Sequence, residues 1–446
     1  MPAVIEVKYF NSFVLSKLVN TSGAPVWRGS GDVDQASAKN WFIEESRITG
    51  GYNNTSVDFG VKAYLVSDSN TASIRGNSMI YSGIYNSRTG VNNTNQFPVA
   101  DDISRSADPN NGTIQKLYAE DTNLVIFQEN KVSRALIDKD AIYSAEGSAM
   151  TTSGAQVIGQ IQAYAGEWGI SKDPQSFAVY GYQKYFTDRN NNAVLRLSSD
   201  GITEISSYGM KSFFTRTLAN LDGGKVIGGY DIISKSYILS LQQGNSYNTL
   251  AFDETVNGWT SFYDYRPSNI LSINSSYYTT YQNKLYKHHQ EGLSFNNRGR
   301  FYGVYYPSNV TLVLNASPSV SKVFKTINYE GSNGWEVSSI STSYDSGNNI
   351  WSYVDGAYDS ANPPNIGLAA TVVPIYRAGF DRKENKFFAN IINNTLEGEG
   401  EIVWGSSMSG IKGFFSTITV ETDNVTKVGE FKELYAVSSE YIESSY

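Results

Sequence analysis

The residues best placed to do chemistry are acids that lie beside aromatic rings, and the clearest run is AFDETVNGWTSFYDY at residues 251–265. It contains the neighbouring acids Asp253 and Glu254 and a third acid, Asp264, near its end. Paired carboxylates serve as acid and base in glycoside hydrolysis. The same letters also fit two strands joined at Asn257-Gly258, which carry no chemistry. The run therefore indicates either a sugar-cleaving site or a β-hairpin.

The other acid pairs, Glu44-Glu45 and Asp101-Asp102, are also neighbours in the chain. Carboxylates that cleave a glycosidic bond must face one another across a cleft at a defined separation, and adjacency in sequence does not create such a pair. Acids at turns and strand edges stay solvated and block unwanted sheet pairing. We therefore interpret all of these acids as turn or edge residues and predict that the protein has no catalytic residue and is not an enzyme.

The chain has two histidines, His288 and His289, and no cysteine. Adjacent side chains on a strand point to opposite faces, so this pair is not expected to share a metal or a catalytic site. Without cysteine there is no thiolate nucleophile and no disulfide. The oxygen-rich turns at 188–192 and 345–349 lack the spacing of a calcium loop, and no phosphate-binding or dinucleotide glycine motif is present. The sequence thus predicts no metal and no cofactor.

The composition favours strands and tight turns, since the 446 residues include 39 Gly, 32 Tyr and 21 Phe. The net charge of −8 argues against a duplex-binding domain, which needs an excess of Lys and Arg. The first twenty residues lack the basic segment, apolar run and cleavage site of a secretory signal. No apolar stretch of about 18 residues is present, so we expect no membrane span.

Strand–turn–strand units recur from about residue 114 onwards. The segments 177–206, 225–265 and 270–290 each suggest an antiparallel meander, and such units lie roughly 40–50 residues apart, as β-propeller blades do. A single blade cannot bury both faces of its sheet and must stack on its neighbours. A β-sandwich uses similar strands and remains the alternative. We predict an all-β protein with propeller-like blades of antiparallel meanders, an additional C-terminal β region and few short helices.

Three segments are predicted along the chain. Residues 1–80 are interpreted as an N-terminal arm or docking segment, and residues 81–315 as the β-propeller blades. Residues 316–446 are interpreted as a second β region, for which closure of the propeller with an inserted loop is one option. The one clear helix candidate is 209–224, where Phe214, Leu218 and Leu221 form an apolar stripe before two glycines.

Several of these stretches resemble the virion structural proteins of tailed bacteriophages, namely the tail hub, nozzle or stabilization proteins of podoviruses, crAss-like phages and some marine phages. The similarity is carried by the strand and loop from Phe127 to Arg134, the meander from Tyr185 to Met210 and the hairpin from Leu250 to Pro267. It covers roughly residues 80–315. Its motifs are typical of blade packing, and they imply a β-propeller fold.

The resemblance implies a non-enzymatic ring of identical subunits in the phage tail, located in the virion and assembled in the bacterial host cytoplasm. Such a ring lines part of the DNA exit channel and docks a portal or adaptor ring, tail fibres or neighbouring tail proteins. Genomic DNA is expected to pass without sequence-specific binding, because an acidic lumen repels phosphates. In this picture five residues are structural blade anchors: Trp259, Phe262, Phe186, Asp188 and Phe127.

Two other functions stay open at this point. A carbohydrate-binding or depolymerising receptor-recognition protein of the virion would need a cleft with facing carboxylates or an aromatic platform. A secreted lectin or adhesin would be a monomer outside any particle.

Overall fold

The computed structural model describes residues 10–13, 43–46, most of 74–143, and 149–290, 298–347, 349–353, 378–393 and 410–444. The chain divides into two compact units, Met1–Asn220 and Leu221–Tyr446. Antiparallel sheets provide nearly all of the regular structure, so the all-β prediction is confirmed. The division at residue 220 falls inside the segment predicted to carry the blades, and the boundaries at 80 and 315 stay predictions.

The first unit begins with six short strands: β1 (Phe10–Phe13), β2 (Ile43–Ser46), β3 (Ser78–Ile80), β4 (Tyr85–Asn86), β5 (Val91–Asn92) and β6 (Ser104–Ser106). They form three two-stranded pairs, in which β1 pairs with β2, β3 with β6 and β4 with β5. A short 3-10 helix, Pro109–Asn111, follows them.

Two four-stranded antiparallel meanders form the rest of the first unit. The first contains β7 (Ile114–Ala119), β8 (Asn123–Gln128), β9 (Val132–Tyr143) and β10 (Ala149–Ala163). After a 3-10 helix at Pro174–Ser176, the second contains β11 (Ala178–Tyr180), β12 (Gln183–Asp188), β13 (Ala193–Ser198) and β14 (Gly201–Glu204). Both sheets contribute to one core that includes Val125, Phe127, Phe186 and Leu195. Because a single sheet leaves one apolar face uncovered, this shared core holds the two meanders together.

The helix α1 (Lys211–Ala219) is shorter than the predicted 209–224. Phe214 and Leu218 of the predicted stripe are buried on it, at 0% and 1% exposure. Leu221 is buried too, but it lies beyond the C-cap residue Asn220 and outside the helix.

The second unit begins with another meander of four strands and one of three. These are β15 (Lys225–Asp231), β16 (Ser236–Gln243), β17 (Ser246–Asp253) and β18 (Gly258–Tyr263), then β19 (Asn269–Ile273), β20 (Ser276–Tyr281) and β21 (Lys284–Lys287). The two sheets approach closely at Gly229 of β15, where a Cβ would lie 2.1 Å from Ile270 Cγ2 of β19. Glycine at this position therefore permits the contact between the sheets.

A two-stranded hairpin and two larger sheets complete the second unit. The hairpin is β22 (Arg300–Phe301) with β23 (Val304–Tyr305). The strands of the two larger sheets are β24 (Asn309–Leu314), β25 (Lys322–Gly331), β26 (Trp335–Thr342), β27 (Ser346–Gly347), β28 (Ile350–Trp351), β29 (Ala378–Gly379), β30 (Asp381–Lys383), β31 (Lys386–Asn390), β32 (Ile411–Gly413), β33 (Ser416–Thr422) and β34 (Leu434–Glu443). One sheet has the order β24-β33-β26-β28-β29 with β27 beside β26, and the other has the order β30-β31-β25-β32 with β34 beside β25.

These last two sheets share one core, which includes Ile327 and Tyr329 of β25, Val337 of β26 and Val420 of β33. Burial alternates along β33, as expected for a strand with one face toward a core. The C-terminal β region is therefore a pair of sheets packed through their apolar faces.

Candidate functional site

The run at 251–265 forms the β17–β18 hairpin, with Asp253 opposite Gly258. Asn257 has a φ of 52°, the left-handed conformation that asparagine tolerates in a turn. The Asp253 carboxylate accepts a hydrogen bond from the Thr255 backbone N–H at 2.7 Å, and Asp264 is exposed. Asp253 thus stabilises the turn and Asp264 lies just after the end of β18, so these acids do not form a facing catalytic pair.

Phe127 and Phe186, two of the residues expected to anchor blades, meet in the core of the first unit. Both are fully buried, and their rings make an edge-to-face contact with 5.1 Å between centroids. Phe127 belongs to β8 and Phe186 to β12, so the contact joins the first meander to the second.

Asp188, the third such residue, is fully buried at the end of β12. Its carboxylate accepts hydrogen bonds from Gly169 N at 3.0 Å and Ser171 Oγ at 2.9 Å. It also accepts from Asn191 N at 3.2 Å and Asn191 Nδ2 at 2.8 Å. The 169–171 segment in turn bonds to the β8–β9 turn, since Ile170 N donates to Gln128 O at 3.0 Å. Asp188 thus connects turns of both meanders.

Trp259 and Phe262, the remaining two, lie on β18 in the second unit. Trp259 is half-buried and contacts Phe252 edge-to-face at 5.4 Å between centroids. Phe262 is 58% exposed. Within this chain Trp259 is therefore part of the hairpin packing, whereas most of the Phe262 ring faces solvent.

A cleft of about 980 Å³ in the second unit brings together side chains that are distant in sequence. Aromatic residues dominate its walls. Its lining includes Asp231, Tyr265, Tyr277, Tyr286, Lys287, His288, His289, Arg298, Arg300, Tyr302, Tyr305, Glu430 and Lys432.

His288 and His289 both line this cleft, so the expectation that the pair would serve opposite faces is wrong. The alternation of a strand no longer applies to them, because β21 ends at Lys287 and His289 has a left-handed φ of 54°. His288 Nε2 lies 2.7 Å from Thr279 Oγ1, and His289 Nε2 lies 2.6 Å from Asp231 Oδ2. One histidine thus belongs to the floor of the cleft and the other pairs with a carboxylate.

The pKa values of the two histidines are shifted in opposite directions because their surroundings differ. Burial lowers the pKa of His288 to about 4, so it is neutral near pH 7. The hydrogen bond to Asp231 raises the pKa of His289 above its ordinary value. The cleft therefore has a neutral imidazole inside and a carboxylate-paired imidazole at its edge.

Tyr302 occupies the tip of the β22–β23 hairpin in an unusual conformation for its residue type. Tyr302 and Gly303 have φ values of 54° and 90° in a two-residue loop, which is the pattern of a type I′ turn. Asparagine usually fills the first of these positions. Here the tyrosine is held by its ring stack on Tyr281, 4.6 Å away and nearly parallel, and by a 2.9 Å hydrogen bond between its hydroxyl and Thr279 Oγ1. These contacts dock the hairpin on the β19–β21 sheet.

The floor of the cleft is a closed network of hydroxyl groups. Tyr265 and Tyr277 share a hydrogen bond of 3.0 Å between their hydroxyls, and both rings contact His288 at 5.0 Å between centroids. Burial raises the pKa of both tyrosines well above the ordinary value, so neither ionises at neutral pH. The two tyrosines can make hydrogen bonds and stack, but they do not supply a phenolate base at neutral pH.

The acids of the cleft are already engaged. Asp231 is bonded to His289, and Glu430 lies 3.5 Å from Lys427. In the described part of the chain, no group of three or more His, Cys, Asp or Glu residues is placed to hold a metal ion.

A second feature of the same unit is the carboxyl cluster on β26 and β33. Glu336 lies opposite Glu421 in the register of the two strands. Burial, together with the nearby Asp423 and Glu421, raises the pKa of Glu336 to about 7. Asp423 behaves differently: burial raises its pKa, but hydrogen bonds from Ser352, Thr426 and Lys432 outweigh this and hold it below the ordinary value.

Replacing Glu336 with glutamine should remove part of the pH dependence of stability. The folded state binds a proton at Glu336 up to about pH 7, whereas the unfolded chain releases it near the ordinary glutamate pKa of 4.5. Stability therefore falls as pH rises through this window. After allowance for solvent screening, we expect Glu336→Gln to be more stable than the parent by about 1 kcal/mol at pH 8 and no more stable at pH 4. Urea unfolding at both pH values measures this, with Glu440→Gln on β34 as control. Equal effects at both pH values would contradict it.

The sequence held a partial signal for the cleft. In SSYYTTYQNKLYKHH (275–289), Tyr277 and Tyr281 are four residues apart, a spacing that puts both on one face of a strand. The residues that complete the cleft, from Asp231 to Lys432, are separated by up to about two hundred positions, and sequence spacing does not bring them together.

Comparison with known proteins agrees with the virion interpretation. Residues 296–394, which include the β22–β23 hairpin, match the Crassvirus muzzle protein C-terminal domain. The chain is similar to a phage muzzle protein. It is 22% identical over 243 residues to the muzzle protein of Bacteroides phage crAss001. The match covers 51% of this chain and 16% of that protein, so the chain matches only about a sixth of the relative's length.

These similarities support a virion protein of a crAss-like phage, and the resemblance drawn from the sequence is confirmed at that level. A structural virion component is consistent with the prediction that the protein is not an enzyme. In the described residues no helix is long and apolar enough to cross a membrane.

Proposed function

We propose that the protein is a non-enzymatic structural component of a bacteriophage tail, a hub, nozzle or adaptor ring that forms part of the DNA exit channel. The observation that carries the proposal is the similarity over 243 residues to a muzzle protein, together with the match of residues 296–394. In this proposal the chain forms a homo-oligomeric ring, located in the virion and assembled in the host cytoplasm. Its partners are a portal or adaptor ring, tail fibres and neighbouring tail proteins.

The meanders are proposed to be blades of a β-propeller. Two features support this: consecutive antiparallel meanders, and cores shared by neighbouring sheets in each unit. In the first unit the shared core contains Phe127 and Phe186, and in the second it contains Ile227 and Ile270. Stacked four-stranded sheets of this kind are the units of propellers. The proposed segments are residues 1–80 for docking, 81–315 for the blades and 316–446 for the C-terminal β region.

The charge of the chain suits a channel that DNA traverses without binding. A net charge of −8 repels phosphates, whereas a protein that grips duplex DNA needs an excess of cations. Passage of the genome without sequence-specific recognition is the behaviour that we propose.

The proposal is tested by the assembly state and activity of the purified protein. Negative-stain images should show closed rings, and mass photometry should show a single oligomer of defined copy number. A protein that stays monomeric at micromolar concentration and shortens polysaccharides in a size-exclusion assay would overturn the proposal.

A further inference from the structure

We propose that the cleft in the second unit is a binding site for an acidic oligosaccharide. Its volume of about 980 Å³ lies at the upper end of the range for small-ligand sites. The proposal rests on side chains of the cleft and does not depend on the proposed tail function.

In this proposal Lys287 and Arg300 bind the anionic groups of the ligand. Lys287 and Arg300 are exposed, and among the residues that the structure describes neither has a carboxylate within ion-pair distance. The Arg300 guanidinium lies over the Tyr305 ring, 5.8 Å from its centroid, which limits its motion. Lys432, by contrast, is paired with Asp423 at 3.0 Å. An arginine held in this way can bind a carboxylate through two parallel hydrogen bonds.

In this proposal a sugar ring lies against the tyrosine rings that line the cleft, among them Tyr286, Tyr302 and Tyr305. The first two are held by ring contacts, since Tyr286 contacts Tyr302 at 4.5 Å between centroids and Tyr302 stacks on Tyr281. Their hydroxyls add polar groups beside apolar faces, the combination that suits ligands with both apolar and hydrogen-bonding surfaces. The hydrogen bonds Tyr265–Tyr277 and Thr279–Tyr302 hold these side chains in place before any ligand arrives, which lowers the entropic cost of binding.

The site is built to hold a sugar and not to cleave it. Hydrolysis of a glycosidic bond needs a proton donor and a second carboxylate across the bond. Asp231 is 2% exposed and bonded to His289, and the half-buried His288, with a pKa of about 4, is neutral near pH 7. We therefore expect bound oligosaccharide to be recovered intact.

Single-stranded nucleic acid is the main rival ligand, since it also uses aromatic rings and cations. It carries a phosphate on every nucleotide and needs a row of cations along its path. Besides Lys287 and Arg300, the cleft is lined by Arg298, whose guanidinium lies over the Phe431 ring, 4.8 Å from its centroid. Three such side chains on a chain with a net charge of −8 do not make the row of cations that a nucleic acid needs, so a ligand with few and spaced carboxylates fits better.

The test is calorimetric titration of the purified protein with trigalacturonate, with maltotriose as the neutral probe and an oligo(dT) eight-mer as the nucleic-acid probe. We expect trigalacturonate to bind with an affinity at least about tenfold above that for maltotriose, and this preference to weaken as salt rises. Recovered ligand should be unchanged in length. Equal binding of both sugars, or tighter binding of oligo(dT), would overturn the proposal.

Matched variants locate the site. Arg300→Gln and Lys287→Gln should each weaken trigalacturonate binding by about tenfold. Their controls are Arg382→Gln, whose guanidinium also lies over a ring but outside the cleft, and Lys284→Gln on the same strand as Lys287. Both control variants should bind as the parent does. Since all four side chains are exposed, the thermal midpoints should match that of the parent. Unchanged affinity in both Arg300→Gln and Lys287→Gln would contradict the assignment.

Discussion

Replacing Asp188 with alanine is expected to lower the free energy of unfolding of the first unit by about 3 kcal/mol. The carboxylate is fully buried and accepts four hydrogen bonds, from Gly169, Ser171 and two atoms of Asn191. Alanine leaves Gly169 N and Ser171 Oγ without this acceptor where Asp188 and Ser171 are buried, and Asn191, which is exposed, loses its two bonds as well. Urea unfolding followed by circular dichroism measures the loss.

Asp188→Asn separates the loss of acceptors from the loss of volume. Asparagine fills the same space but turns an N–H₂ group toward donors on one side. We expect a loss smaller than that of alanine but clearly measurable. The control is Asp200→Asn, an acid in an exposed turn of the same sheet, which should leave the unfolding midpoint unchanged. If Asp188→Ala behaves like this control, Asp188 does not connect the two meanders.

Replacing Phe186 with alanine should cost about 3–5 kcal/mol. The ring is fully buried and contacts Phe127 at 5.1 Å between centroids in a core that both meanders share. Removing it leaves a cavity that the surrounding strands cannot easily fill, because their registers are fixed by hydrogen bonds on both sides. Chemical unfolding measures this loss, and a variant whose cooperative unfolding transition disappears would be destabilised even more than expected.

Phe262→Ala is the informative contrast to Phe186→Ala. Because 58% of the Phe262 ring is exposed, its removal should change the stability of the isolated chain by less than about 1 kcal/mol. If a neighbouring subunit of the proposed oligomeric ring covers Phe262, the variant should fold normally and yet form fewer oligomers in mass photometry. A large loss of stability in the monomer would mean that Phe262 anchors the hairpin within the chain itself.

The β-meanders were predictable because local signals specify them. Alternating apolar residues, with turns such as Asp-Arg-Asn-Asn-Asn at 188–192, fix both the strands and their antiparallel neighbours. The hairpin at 251–265 follows from the same rules, and its acids lie in the turn and at the edge. Short-range rules were therefore enough to choose between a hairpin and a catalytic pair at this position.

The cleft was not predictable, because it depends on where strands end and on contacts between distant segments. The period-two rule failed at His288 and His289 since β21 stops one residue earlier and His289 adopts a left-handed conformation. Tyr302 gave no turn signal, because tertiary contacts with Tyr281 and Thr279 hold it where asparagine is usual. The predicted helix likewise ended early, at Ala219, with Leu221 buried outside it.

The central claim, a structural role in a phage tail, is tested most directly by a cryo-electron microscopy reconstruction of virions that carry this protein. The proposal predicts density for the chain in the tail, repeated around the channel axis, with the meanders arranged as propeller blades. Purified virions that lack the protein, or that carry it only as a dispersed surface monomer, would contradict the claim.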